Sequence, residues 1–296
     1  MEIPQLEKEM IDDMELQQSP RYREYIKKLG WSILTVEGTA VFHRRLPVIG
    51  TMAKIQRPER LPYIPLLIME LQKIHASTLV LEASPTIDPT AWDAWTLSLS
   101  KFFRIVSSSY LPTKTISIDI HNDEEMVFKR CTEAKQRAIR KAKKNGVSVR
   151  LASDVEELIH IKSIAAGLFG NITTYGLKEL ADVFGKGSTA SLLAEITTPS
   201  GRKKIVGGVF MIFDGTKSYY WIAGATHEGK KLFAPTLLVW EAIIESKKRA
   251  CTSFDFVGVW DERMPKQNKE WLGFTRFKEG FGGVPVYYPI HRFLKR

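Results

Sequence analysis

The chain has 296 residues, 44% of them hydrophobic, and a formal net charge of +10. Its two cysteines, Cys131 and Cys251, lie far apart without metal-ligand spacing, which argues against a disulfide scaffold and fits a reducing compartment. The first twenty residues are acidic and polar rather than a signal peptide, and the longest apolar runs, 61–69 and 232–240, are too short and Pro-broken to span a bilayer. A soluble, cytoplasmic protein is therefore expected. The positive balance favours a polyanionic partner such as RNA, DNA, a nucleotide-linked substrate or the acidic inner face of the cytoplasmic membrane. A cytosolic enzyme with a neutral ligand can carry the same charge.

Residues 1–15 read as a loosely held arm or a short helix. The spacing of Tyr22, Tyr25, Ile26 and Leu29 predicts a helix over 21–29, with Gly30 as its stop. Strands are predicted over 31–36 and 40–46 around the turn Glu37-Gly38, and a third near 52–56. A helix over about 62–75 carries Leu66, Leu67, Leu71 and Ile74, and 78–82 is an apolar strand. Trp92, Trp95, Leu99 and Phe103 share one stripe of a further helix, and the tryptophans read as core. Helix, strands, helix, strand makes one compact α/β unit.

A strand over 115–120 begins a second unit. One long helix is expected from Asn122 to Asn145, with Gly146 as its stop and a thin stripe of Val127, Cys131, Ala134, Ala138 and Ala142 facing inward. Between 129 and 150 stand Lys129, Arg130, Lys135, Arg137, Arg140, Lys141, Lys143, Lys144 and Arg150, against the single acid Glu133. Such a run is either a solvated face or a phosphate-binding one; like charges four apart cost stability, which gives the second reading weight. The remainder reads as a strand over 147–151, helices over 155–168 and 177–184, strands over 190–197, 205–213 and 218–223, a helix over 232–248 and a buried strand over 254–259.

The stretch 254–288 concentrates chemistry. It delivers Arg276-Phe277-Lys278, then Phe281 and Gly282-Gly283, before a closing strand over 284–288. Lys278 is a cation suited to a developing oxyanion, and Phe277 offers a face for a nucleobase. On spacing alone the same residues also fit a β-hairpin with a solvated lysine and two core phenylalanines.

The string G-F-T-R-F-K-E-G-F-G-G, following F-D-F-V-G-V, closely resembles the C-terminal signature of the FemABX peptidyltransferases. Gln18-Ser19-Pro20 through Leu29-Gly30-Trp31, the segment AKQRAIRKAKKNGVSVR, YYWIAGAT at 219–226 and Phe254-Asp255-Phe256 are similar to further family segments, so the likeness covers nearly the whole chain. It implies an α/β fold of two GNAT-like (acyl-CoA N-acyltransferase-like) units in tandem, over 16–112 and 113–296. It also implies transfer of an amino acid from aminoacyl-tRNA to an amine of a nucleotide- or lipid-linked peptidoglycan precursor. No cofactor and no metal are implied.

By the same resemblance Lys278 is catalytic and Phe277, with Arg276, meets the tRNA acceptor end. Lys27, Tyr220, Tyr175 and Glu82 are candidates for binding the precursor, and Arg137, Arg140, Lys141 and Lys144 for binding tRNA. A strand-end Glu82 that is merely exposed is the blander expectation. Many relatives carry an Arg before the Tyr matched by Tyr175; here 169–175 reads F-G-N-I-T-T-Y, which leaves the acceptor open. Two alternatives stand beside this reading: a GNAT-like N-acyltransferase using acyl-CoA, and a non-catalytic RNA-binding relative. The first needs a Gly-spaced pyrophosphate loop, and 224–235 (GATHEGKKLFAP) lacks one.

Overall fold

The computed structural model describes residues 14–106, 112–166 and 174–295. The chain divides into two compact units, Met1–Thr115 with Trp260–Lys269 and Val286–Arg296, and Ile116–Val259 with Glu270–Pro285. The first unit thus runs to Thr115, and two later segments, Trp260–Lys269 and Val286–Arg296, belong to it as well.

In the first unit α1 (Pro20–Lys28) starts where the Ser19 hydroxyl accepts from the Tyr22 N–H and Pro20 takes a first-turn position. Tyr22, Tyr25 and Ile26 are buried on its inner face. β1 (Ser32–Val36) and β2 (Thr39–Leu46) form a hairpin whose turn residues, Glu37 and Gly38, have φ of 48° and 84°. That is the mirror-image turn which matches strand twist. β3 (Gly50–Gln56), α2 (Ile64–Lys73) and β4 (Ala76–Glu82) follow, with β4 parallel to β3.

Next come α3 (Pro89–Leu99) and β5 (Arg104–Val106). A strand the sequence did not announce, β13 (Arg292–Lys295), inserts between β4 and β5, giving the order β1-β2-β3-β4-β13-β5. Four residues carry too little periodicity to be read alone; long-range pairing and the complete burial of Leu294 hold them there. The tryptophans are core, as expected. Trp92 Nε1 donates to the Ile290 carbonyl and Trp95 Nε1 to that of Pro62, each at 2.8 Å, which satisfies both buried indoles. On α2, Leu67 and Leu71 are buried but Leu66 faces solvent.

The second unit is built on β6 (Lys114–Asp119), α4 (Glu124–Arg130), α5 (Glu133–Lys144), β7 (Ser148–Leu151), α6 (Val155–Ala166), α7 (Leu177–Ser188), β8 (Thr189–Thr197), β9 (Lys203–Asp214) and β10 (Lys217–Ala225). After them come α8 (His227–Lys231), α9 (Ala234–Lys248), β11 (Ser253–Asp255), α10 (Leu272–Glu279) and β12 (Val284–Tyr287). Its sheet runs β12-β6-β11-β10-β9-β8-β7, with β11 parallel to β10. The order of antiparallel strands, helix and parallel strand thus occurs in both units. α9 is apolar nearly all round, and Leu237 to Trp240 are buried without a break, as a helix enclosed by its own core must be.

Three expectations change here. The helix over 122–145 is two helices, because Cys131 is extended (ψ 142°) and Thr132 restarts the chain as an N-cap, accepting from Lys135 N–H. A Thr cap stabilises a helix by about 1 kcal/mol, and the Thr132 N–H donates to the Gly280 carbonyl at 2.9 Å, so the break is fixed from both sides. The stripe turns with it: Ile139 and Ala142 are buried while Ala134 is exposed. Residues 272–278 form a helix rather than an arm of a hairpin, and β11 stops at Asp255 instead of reaching 259. The departures read at 169–173, and the arm at 1–13, lie outside the described residues.

Candidate active site

β10 and β11 run side by side only at Lys217–Tyr219 and Ser253–Asp255. Beyond that point they part. β10 makes a bulge between Tyr220 and Ile222 and continues along β9 to Ala225. The chain after β11 stays with β6, where Phe256 N–H donates to the Ile116 carbonyl at 3.0 Å. Val257 then takes φ 66°, a left-handed conformation that costs a β-branched residue on the order of 1–3 kcal/mol.

Lys278 occupies this split. Its Nζ donates to the carbonyls of Phe256 (2.9 Å) and Gly258 (2.7 Å), the two residues flanking the strained valine. Its ammonium also lies 5.0 Å from the ring centre of Phe274, 5.6 Å from Phe256 and 6.0 Å from Tyr220. Burial lowers its pKa from 10.5 to about 8, partly offset by Asp255. Two of the three ammonium protons are held by backbone, which aims the group and leaves one donor for a ligand.

Phe277 is half-buried and packs edge-on against Phe281 at 5.5 Å. Its face is already visited: Lys135 Nζ lies 3.8 Å from the Phe277 centroid and 5.2 Å from that of Phe281. Burial lowers the Lys135 pKa to about 8 as well. A side chain at Gly280 would bring its Cβ to 2.6 Å from Lys135 Cε, and Gly282, at φ 82°, would bring one to 2.4 Å from the Arg130 carbonyl oxygen. The glycines of the G-F-G-G run therefore let α10, Lys135 and the α4–α5 break close on one another. The basic run alone does not single out Lys135; its position four before the buried Ile139 is the sequence signal that sets it apart.

Tyr220 is buried 5.5 Å from Phe256, and burial raises its phenol pKa. Lys278, Tyr220 and Phe277 are thus joined through the rings of Phe256 and Phe281. Arg276, next to Phe277 on α10, and Tyr175 are both exposed. Of the α5 cations, Arg137 pairs with Glu133 at 3.0 Å, Arg140 lies over Phe128 and Lys141 over Phe233, and Lys144 is exposed.

Lys27 and Glu82 belong to the first unit. Lys27 is exposed in the last turn of α1, a favourable place for a cation. Glu82 corrects the blander expectation: it is 2% exposed, and Gln56 Nε2 donates to both of its carboxylate oxygens, at 3.2 and 3.3 Å. Burial raises its pKa to about 7 against the opposing pull of Arg57, Gln56 and Lys54.

At 224–235 the chain forms α8, in which the Gly229 N–H is taken by the Thr226 hydroxyl and Gly229 is pressed against Val206, where a Cβ would stand 2.2 Å from the carbonyl oxygen. Pro235 then removes a donor from the first turn of α9. This is a poor cradle for a pyrophosphate. Among the described residues no group of three or more His, Cys, Asp or Glu side chains is placed to hold a metal ion.

Residues 188–289, which include the split, Tyr220, Phe277 and Lys278, match the model of the FemAB family. Around these residues, the whole chain has the tandem GNAT-like fold of FemX, with which its structure agrees at a TM-score of 0.73 and 14% identity over 100% of this chain and 97% of that one. The C-terminal domain of a putative lysylphosphatidylglycerol synthetase from Agrobacterium fabrum is similar at 0.60 and 10% identity, over 98% and 92% of the two chains. A tandem GNAT protein from the clavulanic acid biosynthesis pathway is similar at 0.55 and 13%, over 89% and 81%. No curated protein matches the chain. The matched residues carry the Lys278 cluster, while Lys27 and Glu82 lie outside them.

Proposed function

We propose that the protein is a FemABX-type aminoacyltransferase that moves an amino acid from aminoacyl-tRNA to an amine of a nucleotide- or lipid-linked peptidoglycan precursor. The FemAB family match and the GNAT-like fold support a transferase. The observation that carries the reading is Lys278, a desolvated cation held by two backbone carbonyls where β10 and β11 part.

The chemistry asks little beyond placement. An aminoacyl ester is already activated, so the precursor amine attacks its carbonyl carbon, a tetrahedral oxyanion forms, the amine loses a proton and the ribose oxygen of the terminal adenosine leaves. Lys278 stabilises the oxyanion with its remaining N–H, in a site where low polarity makes that charge count. Phe277 stacks on the terminal adenine, and Arg276 lies one residue away to meet its phosphate. Arg137, Arg140, Lys141 and Lys144 hold the acceptor stem. Tyr220, Tyr175, Lys27 and Glu82 are assigned to the precursor, with Lys27 opposite its diphosphate. Because the donor is tRNA, the reaction takes place in the cytoplasm.

An acyl-CoA donor is disfavoured by the occupied Gly229 N–H and by Pro235. Incubating the protein with a pool of radiolabelled aminoacyl-tRNAs and a panel of nucleotide- and lipid-linked precursors tests the proposal. Label should enter a precursor without ATP. Label remaining on tRNA with every precursor would sink it.

A further inference from the structure

The β2–β3 hairpin of the first unit ends in Pro47-Val48-Ile49, and its tip is bare hydrocarbon: Val48 is 107% exposed and Ile49 51%. Val48 sits at φ 68°, a costly conformation for a β-branched residue. The tip is nevertheless fastened. Ser77 Oγ bridges the carbonyls of Ile49 (2.8 Å) and Thr51 (3.2 Å), and Gly50 at φ 85° has no room for a Cβ beside that hydroxyl. The two aliphatic side chains are therefore presented by a braced turn.

Beside the tip, a shallow pocket of about 720 Å³ that includes Gly50 and Thr51 is lined by His43, Arg44, Arg45, Lys73 and His75, with no acidic residue in its wall. Arg44 donates to the Leu29 carbonyl and Lys73 pairs with Glu70, whereas Arg45 is exposed. Exposed aliphatic side chains above a ring of cations match the layering of an anionic bilayer, hydrocarbon beneath phosphate. A nucleic acid would fit the cations but would gain little from Val48 and Ile49, because base recognition without strand pairing uses aromatic or planar groups and the tip has none.

We propose that this hairpin seats the protein on an anionic membrane surface, with Val48 and Ile49 entering the headgroup boundary and Arg45 and Lys73 meeting lipid phosphates. The proposal stands on the first unit alone and does not depend on the transfer chemistry.

Flotation with phosphatidylcholine vesicles, with and without phosphatidylglycerol, tests it. The protein should float only with the anionic vesicles, and less so as salt rises. Val48→Ser with Ile49→Ser should lower partitioning about tenfold. Arg45→Gln and Lys73→Gln should each lower it about fivefold. All four substitutions should leave the circular dichroism melt, and any transfer to a soluble nucleotide-linked acceptor, unchanged. Both native cysteines are buried, so a fluorophore on Val48→Cys reports the tip alone and should shift to the blue on anionic vesicles. Absence of binding to phosphatidylglycerol, or binding that the tip variants do not weaken, overturns the proposal. So does a result in which Arg45→Gln and Lys73→Gln reduce tRNA affinity while vesicle binding persists, which would mark a nucleic-acid face.

Discussion

Replacing Lys278 by Met keeps the length of the side chain and removes its charge, and the structure allows the consequences to be weighed. Lowering its pKa from 10.5 to about 8 corresponds to roughly 3 kcal/mol against the charged form. That figure is an upper bound, because the side chain is only half-buried. Removing the ammonium releases this penalty but leaves the carbonyls of Phe256 and Gly258 without their donor, at about 1–3 kcal/mol each. The terms oppose, so the variant should still fold, with a net loss of no more than a few kcal/mol.

Turnover should behave differently. Losing one oxyanion donor lowers it on the order of a hundred- to a thousandfold. The assay is single-turnover transfer with saturating aminoacyl-tRNA, which hides a pure binding defect. In the wild type the rate should fall as pH rises through about 8, where the cation is lost, and the variant should lack that alkaline limb. The stability check has the opposite sign. Between about 8 and 10.5 the unfolded chain keeps a proton on this lysine that the folded chain has shed, so wild-type stability rises across that window and the variant's does not. Near-normal turnover at saturation, or a rate loss that simply tracks a collapse in melting temperature, refutes the catalytic role.

Phe277→Ala should weaken binding of the acceptor end by about 1–3 kcal/mol with little change in saturated turnover, read by titrating aminoacyl-tRNA in the same assay. Combined with Lys278→Met it should not be additive, since both act on one substrate through adjacent positions. Arg140→Ala with Lys141→Ala should flatten the slope of log affinity for tRNA against log salt by roughly 1.5, as two phosphate contacts are lost; an unchanged slope marks α5 as solvated surface. Glu82→Gln should stabilise the protein above neutral pH. The raised pKa means that burial of the carboxyl is tolerated fully below about 4.5 and opposed increasingly as pH rises through about 7, so the gap between variant and wild type should open across that window towards about 3 kcal/mol. Thermal melts at both ends of it read the effect, and an equal gap at both ends contradicts the burial.

The local pattern of the sequence carried most of the architecture. Strands with β-branched and aromatic alternation, the Glu37-Gly38 turn and the Trp92/Trp95 stripe lie where local physics puts them. It failed where distant contacts decide. The break at Cys131–Thr132 is held by the Gly280 carbonyl, nearly 150 residues later, and β13 is a strand only because β4 and β5 wait on either side. At the site, Lys278 and Phe277 were legible as a motif. Their setting was not: the split of β10 and β11, the strain at Val257 and the approach of Lys135 all arise from tertiary packing. Glu82 looked like an ordinary strand end, and the side chain that makes it otherwise, Gln56, lies 26 residues earlier on a parallel strand.

The most direct measurement is a donor test on one acceptor. A peptidoglycan precursor is mixed with the protein and either an aminoacyl-tRNA pool or acetyl-CoA, and the product is weighed by mass spectrometry. The account predicts that the precursor gains the mass of one aminoacyl residue from tRNA, without ATP, and gains nothing from acetyl-CoA. An acetylated precursor, or one unchanged by either donor, would contradict it.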